Sequence, residues 1–162
     1  MRILGVDPGT QRTGAGVIEA HGNRYQRVYS ETLSAPKSAS ASQKLKAIYE
    51  FLSGVMTRFS PDVLALENVF YSKDLKAMVK IGEARACAML AASDCGVNVV
   101  EYAPARIKQA VSGNGRATKE QVQQMVRRLL NLKELPPPDS ADALAVAICH
   151  LHSHTSSLMQ VS

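Results

Sequence analysis

The sequence of 162 residues contains few cysteines and no long apolar run. Its three cysteines, Cys87, Cys95 and Cys149, form no CxxC pair and their odd number completes no disulfide framework, so neither a disulfide scaffold nor a zinc site is indicated. No window approaches the roughly 18 consecutive apolar residues of a membrane span, and Asp7 interrupts the first apolar stretch. We therefore expect a soluble protein of the reducing cytoplasm, with no membrane association.

Length and composition fit one domain with a sizeable core, since 46% of the residues are hydrophobic and 20% are charged. We expect this domain to cover residues 1–154 and the polar residues 155–162 to form a flexible tail. Lys and Arg together number 19 against 14 Asp and Glu, a net charge of +5. If several of the acids gather in one site, the remaining surface is more basic still, which favours a polyanionic partner.

The order of the predicted strands and helices indicates the fold class. An apolar strand over 2–7 is followed by two segments of alternating polarity, 15–20 and 23–33, which predict an antiparallel meander. Two later strands, over 62–67 and 97–102, are entered through helices. Helical spacing of apolar residues predicts helices over 43–59, 75–93, 104–111, 118–132 and 139–152. The sum is an α/β fold with a five-stranded mixed sheet flanked by helices, which resembles the ribonuclease H architecture.

Acidic residues end two of these strands and begin the last helix. Asp7 closes the first strand and Glu67 closes the fourth, while Asp139 and Asp142 are three residues apart on one helix face. Ligand sites in open α/β sheets lie beyond the C-terminal ends of parallel strands, so we expect these acids to converge there. Structural roles stay open, because Asp7 before Pro-Gly suits a turn and Asp139 after prolines suits a helix cap.

Carboxylates crowded at one sheet edge repel one another unless cations compensate their charge. Ligands that are all oxygen, with no nearby His or Cys, suit Mg²⁺ or Mn²⁺ rather than zinc. Two such ions about 3.5–4 Å apart can activate a water and stabilise both the entering and the leaving oxygen of a phosphodiester. The acids therefore predict a metal-dependent phosphodiesterase site in which Asp7 bridges the ions.

Four motifs in combination resemble the RuvC family of Holliday-junction resolvases: "ILGVDPGTQRTGAGVI", "LALENVFYSKD", "EYAPARIKQAVSGNGRATKEQV" and "DSADALAVAICH". The resemblance covers residues 2–154. It implies a homodimeric, Mg²⁺-dependent endonuclease that nicks two like-polarity strands of a four-way DNA junction symmetrically, in recombination and repair. It further implies two metal ions per site with Mn²⁺ as a substitute, and RuvA and RuvB branch-migration proteins as partners. The implied catalytic and metal-binding residues are Asp7, Glu67, Asp139 and Asp142.

Eight further residues are candidates for DNA contact. The resemblance implies Phe70 as a wedge between bases, with Tyr71 beside it, although Phe70 also suits a core position. Lys108 and Lys119 match positions that the family uses for junction contact, and Lys119 opens a helix N-terminus suited to phosphate. The remaining candidates are Arg116 in the glycine-rich loop and Lys73, Lys76 and Lys80, a basic stripe opposite an apolar set of Leu75, Met78 and Val79, for which a solvated face is the alternative.

Other functions remain open on the residues alone. "DPGT" also resembles the first phosphate loop of actin-like ATPases, but those need a second domain and a second phosphate loop that this sequence lacks. A nuclease of the same fold acting on RNA–DNA hybrids or ribosomal-RNA precursors, or a catalytically silent junction-binding protein, would share most of the pattern. The complete set of four acids, together with Phe70, favours the resolvase. "HLHSH" at 150–154 offers no defined metal cage, so we expect these histidines to lie at the surface.

Overall fold

The computed structural model describes residues 1–22, 24–68 and 74–159, and in them five strands and five helices. These elements are β1 (Arg2–Asp7), β2 (Arg12–His21), β3 (Arg24–Ser34), α1 (Ala41–Phe59), β4 (Val63–Glu67), α2 (Leu75–Asp94), β5 (Asn98–Tyr102), α3 (Pro104–Ser112), α4 (Lys119–Leu129) and α5 (Pro138–Met159). The sheet order is β3-β2-β1-β4-β5, antiparallel from β3 to β1 and parallel from β1 to β5. The predicted five-stranded mixed α/β sheet is confirmed.

Alternating side chains of the strands feed two separate cores. On β1, Ile3 packs with residues of α3, α4 and α5, whereas Leu4 and Val6 pack with residues of α1 and α2. The sheet is therefore the middle of three layers, as expected where parallel strands are covered on both faces. None of the helices in the described ranges is both long and apolar enough to cross a membrane.

Local sequence explains where the helices begin. Thr118 Oγ1 accepts a hydrogen bond from the Gln121 backbone N–H at 3.2 Å, and Gln121 Oε1 accepts one from the Thr118 N–H at 2.9 Å, which completes the capping box expected from these residue types. Ser40 and Gln43 form a second capping box, so α1 begins at Ala41, slightly earlier than the apolar periodicity predicted. Ser60, with φ of 45°, ends α1 before Pro61.

The edge strand β3 is irregular. Its pairing with β2 shifts between Val17 and Ile18, which lie opposite Tyr29 and Arg27, so Val28 is an extra residue in β3. Such a bulge bends the strand and increases its twist. The first half of β3 is correspondingly polar and exposed, because only one side of the strand has a partner.

Helix α5 lies directly on the backbone of β1 and β2. A Cβ atom on Gly5 would be only 2.0 Å from the carbonyl oxygen of Ala143, and one on Gly14 only 2.1 Å from that of Asp139. Only glycine therefore permits this approach. Gly14 is the ladder partner of Asp7, so the same contact places the start of α5 beside the end of β1.

Helix α5 also ends later than predicted. It continues to Met159 instead of ending at residue 152, because neither Gly nor Pro interrupts this stretch. The expected surface position is wrong for His150, which is 9% exposed and whose Nδ1 lies 2.8 Å from the Tyr102 hydroxyl. His152 is half-buried, with its two ring nitrogens 3.0 Å from the Ala110 carbonyl oxygen and 3.3 Å from the Tyr25 hydroxyl. Helix α5 therefore packs these two rings against α3 and the sheet.

We predict that Gly5→Ala lowers the free energy of unfolding by about 3 kcal/mol, because α5 must move away from β1 to admit the methyl group. Gly54→Ala is the matched control, since nothing lies within 4 Å of a Cβ at this exposed position in α1. There alanine should stabilise the helix by about 0.5–1 kcal/mol. Urea unfolding measures both, and equal effects of the two substitutions would contradict the close approach.

Candidate active site

Parallel pairing brings two acids to one edge of the sheet. The last paired residues of β1 and β4 are Val6 and Leu66, so Asp7 and Glu67 are the next residues along the two neighbouring strands. The turn after Asp7 is closed by Thr13, whose buried hydroxyl donates to the Gly9 carbonyl oxygen at 2.8 Å. Because Thr13 closes the turn, the Asp7 carboxylate is not needed for it.

Three helices complete a small cavity of about 90 Å³ at this edge. Its polar lining combines three carboxylates, from Asp7, Glu67 and Asp142 of α5, with the amines of Lys108 from α3 and Lys119 from α4. Its apolar lining is formed by Pro104, Ile107, Val122, Ala145 and Val146. The five sequence-predicted residues thus meet in one place, against a hydrophobic floor that excludes water from part of their surface.

Burial and mutual repulsion raise the pKa values of the three cavity carboxylates. Burial, followed by the negative charges of Asp142 and Glu67, raises the pKa of Asp7 from 3.8 to about 7. Burial likewise raises the pKa of Glu67 and of Asp142, although the Lys119 ammonium opposes both shifts. Asp139 is not part of the cavity lining, but its charge also raises the pKa of Asp7 and of Asp142. The surroundings of the site therefore disfavour the ionised form of these carboxylates.

Each acid on α5 has a cationic partner. Lys119 Nζ lies 3.3 Å from Asp142 Oδ2, and the Asp142 charge raises the pKa of this lysine. Arg12 Nε lies 2.6 Å from Asp139 Oδ2. Sequence reasoning missed Arg12, because nothing local to "TQRTG" indicates that the start of β2 lies beside the start of α5.

The donor chemistry fits a hard divalent cation. The four acids offer only carboxylate oxygens, and burial together with the charges of Asp142 and Glu67 raises the pKa of Asp7, an effect that a bound cation would oppose. No three Asp, Glu, His or Cys side chains in the described part of the chain stand close enough to form a ready-made cage. Lys119 and Arg12 explain in part why the acids stand apart, since each holds one of the two α5 acids in an ion pair.

The other predicted DNA-binding residues are placed less closely or lie outside the described residues. Arg116 is exposed on the loop between α3 and α4 and does not line the cavity. Lys76 and Lys80 are exposed on α2. Their supposed apolar counterface is itself open to solvent, because Leu75 is 68% exposed and Val79 is 60% exposed. The remaining three, Phe70, Tyr71 and Lys73, lie outside the described residues.

Comparison with known proteins identifies the family of the chain. The family model described as "Crossover junction endodeoxyribonuclease RuvC" matches residues 3–150. A protein of that name from Dehalococcoides mccartyi is 52% identical over 155 residues, which cover 95% of this chain and 93% of the relative. One from Thermotoga petrophila is 48% identical over 151 residues, covering 93% and 92% of the two chains.

Solved structures give the same result. The structure "T. thermophilus RuvC in complex with Holliday junction substrate" superposes with a TM-score of 0.91 at 34% identity, covering 97% of this chain and 96% of the other. A yeast mitochondrial Holliday junction resolvase superposes with a TM-score of 0.67 at 11% identity, covering 98% and 82%. The second likeness supports the fold alone.

We predict that, without metal, the protein loses stability as pH rises from about 4 to about 7. Over that range the folded state keeps a proton on Asp7 that the unfolded chain has released, so unfolding becomes easier with rising pH. Asp7→Asn should therefore raise the free energy of unfolding at pH 8 by about 3 kcal/mol, and change it little at pH 4. Urea titrations in EDTA measure this.

The control for that titration is Glu50→Gln, which removes an exposed carboxylate of α1 that forms an ion pair with Lys46. It should leave the pH dependence unchanged. An Asp7→Asn protein no more stable than the parent at pH 8 would show that the fold does not raise the pKa of Asp7.

Proposed function

The chain belongs to the RuvC family of crossover junction endodeoxyribonucleases, and on that premise we propose that it resolves four-way DNA junctions by hydrolysing one phosphodiester in each of two like-polarity strands. The observation that carries the proposal is the meeting of Asp7, Glu67 and Asp142 in one cavity at the ends of two parallel strands. The structurally similar Thermus protein was solved with a Holliday junction as its substrate. We place the reaction in DNA recombination and repair in the cytoplasm.

A nuclease of this family requires a divalent metal, and we propose Mg²⁺ as the ion, with two ions per site and Mn²⁺ as a substitute. The residues that would hold it are Asp7, Glu67, Asp139 and Asp142. When bound, the ions supply Lewis acidity that activates a water and stabilises the leaving oxygen.

The lysines of the cavity have a separate task toward DNA. A phosphodiester that approaches four carboxylates meets repulsion, which Lys108 and Lys119 reduce because both line the same cavity. Lys119 is already paired with Asp142, so it lies where acid and incoming phosphate would meet. We propose Lys76, Lys80 and Arg116 as outer phosphate contacts, and Phe70 with Tyr71 and Lys73 as the junction wedge and its surroundings.

Two symmetric cuts call for two sites, and α2 offers a surface for a second copy of the chain. Leu75, Val79 and Leu90 follow one another at helical spacing on its exposed side, and Leu90 is 61% exposed. The small residues Gly82 and Ala86 lie between them and are exposed as well, so another helix can approach closely. Exposed apolar stripes of this kind mark interaction surfaces. We propose that two α2 helices form the interface of a homodimer, and that RuvA and RuvB are partners of that dimer.

The first measurement is cleavage of a labelled mobile four-way junction in Mg²⁺, beside a linear duplex and an RNA–DNA hybrid of matched sequence. We expect paired symmetric nicks in the junction alone. Glu67→Gln should reduce the cleavage rate by about 10³-fold or more, because a ligand of the metal is lost, while junction binding in Ca²⁺ stays within about twofold. Cleavage of the hybrid instead would assign the site to another nuclease activity.

The dimer interface predicts that Leu90→Glu produces a monomer, because it places a charge on the apolar stripe at one of its most exposed leucines. Leu135→Glu is the matched control, since Leu135 is 42% exposed in the loop before α5, away from α2. Light scattering should report half the parental mass for the first variant and the full mass for the second. A dimeric Leu90→Glu protein would place the interface elsewhere.

A further inference from the structure

A buried arginine on α2 reaches the main chain of Glu67. Arg85 is only 9% exposed. Its Nη1 donates to the backbone carbonyl oxygen of Glu67, and its Nη2 donates to Oε1 of Glu101 on β5. None of the catalytic roles proposed above uses this residue, although it touches the peptide of one of the four acids.

The peptide unit that follows Glu67 lies just beyond the last residue pair between β4 and β1. The pairing of β4 with β1 ends at Leu66, so β1 no longer restrains Glu67. On the other side, Glu67 is opposite Tyr102 of β5, and the Tyr102 carbonyl oxygen accepts a hydrogen bond from the Asn68 N–H at 2.8 Å. Arg85 supplies the remaining restraint, because it holds the carbonyl oxygen of the same peptide unit.

The guanidinium group suits this task. It is planar and presents its donors in a fixed fork, so two acceptors held by one arginine are kept at a set spacing. Here the acceptors belong to neighbouring strands, Glu67 on β4 and Glu101 on β5. The fork therefore fixes the end of β4 relative to β5 and to α2 simultaneously.

Stability alone is a poor explanation for the buried charge. Removing the Arg85 guanidinium from water costs free energy that its attraction to Glu101, whose side chain is 33% exposed, only partly returns, and a well-packed apolar side chain of similar size often serves as well. A residue kept charged at such a place is better explained by a geometric requirement of its neighbour. That neighbour is the strand end that presents the Glu67 carboxylate to the cavity.

We propose that Arg85 is a positioning residue, whose fork between Glu67 and Glu101 holds the main chain of Glu67 so that its carboxylate faces Asp7 and Asp142. The inference rests on the proposed metal-dependent nuclease function. Residues that orient a metal ligand without touching the metal affect metal affinity or activity by about 10–100-fold when they are changed. Arg85 acts on the main chain of Glu67, the proposed metal ligand. Its loss should therefore lower both the metal affinity and the cleavage activity.

The test compares Arg85→Met with Val55→Ala in the full-length protein. Val55 lies on α1 and is buried in the core between α1, α2 and the sheet. Its truncation therefore destabilises the fold without removing any contact to Glu67. Calorimetric titration with Mn²⁺ alone gives metal affinity, binding in Ca²⁺ gives junction affinity, and single-turnover cleavage at saturating enzyme gives the rate. Urea unfolding in EDTA measures how much each variant is destabilised.

We expect Arg85→Met to weaken Mn²⁺ binding and to slow single-turnover cleavage, each by about tenfold or more, with junction affinity within about twofold. Val55→Ala should change neither by more than about twofold. Arg85→Lys keeps a donor for Glu67 but loses the fork, so it should show a smaller loss in the same direction, and it serves if the methionine variant does not fold.

Mn²⁺ affinity and cleavage rate within about twofold of the parent in both Arg85 variants would overturn the proposal, as would losses no larger than those of an equally destabilised Val55→Ala protein. The metal titration needs no DNA. If the parent binds Mn²⁺ but cuts no junction, the proposed substrate is wrong, while the role of Arg85 is still decided by the titration.

Discussion

The contact between the backbone of α5 and the backbone of β1 and β2 is the constraint on which the site depends. Gly5 and Gly14 allow it, because a methyl group at either would overlap a carbonyl oxygen of α5. Two acids at strand ends and two acids on a helix belong to distant parts of the sequence. They become neighbours only because the helix approaches the sheet without a layer of side chains between them. The sheet and its two cores therefore hold the backbone of α5 close to the backbones of β1 and β2, and this close approach brings the four acids together.

That proximity creates an electrostatic cost which the fold only partly relieves. Asp7 is so strongly affected by burial and by its neighbours that its pKa lies at about 7. Lys119 and Arg12 pair with the acids of α5, whereas among the residues that the structure describes no ion pair involves Asp7 or Glu67 at the strand ends. The protein thus tolerates a locally unfavourable arrangement that a divalent cation would stabilise. Sites prepared for metal commonly look unfavourable when considered without it.

The parts of this arrangement that could be predicted from sequence are those governed by local patterns. Asp7 and Glu67 are recognisable because each ends an apolar strand, and the Thr118–Gln121 box marks the start of α4. Arg12 and Arg85 could not be recognised, since their partners are Asp139, Glu67 and Glu101, which are remote in sequence. The position of the apolar face of α2 could not be predicted for a related reason. Helical periodicity identifies an apolar face but does not say whether the sheet or another surface covers it, and Leu75 and Val79 point away from the core.

The bulge at Val28 has a consequence for how molecules of this protein meet one another. A long strand at the edge of a sheet offers its free N–H and C=O groups to the strands of other molecules, and soluble proteins avoid such pairing. The extra residue breaks the regular spacing of those groups, and the exposed Arg24 and Arg27, which both precede it in β3, add like charges that repel a second copy. The edge of the sheet at β3 is therefore poorly suited to pairing with a strand of a second molecule.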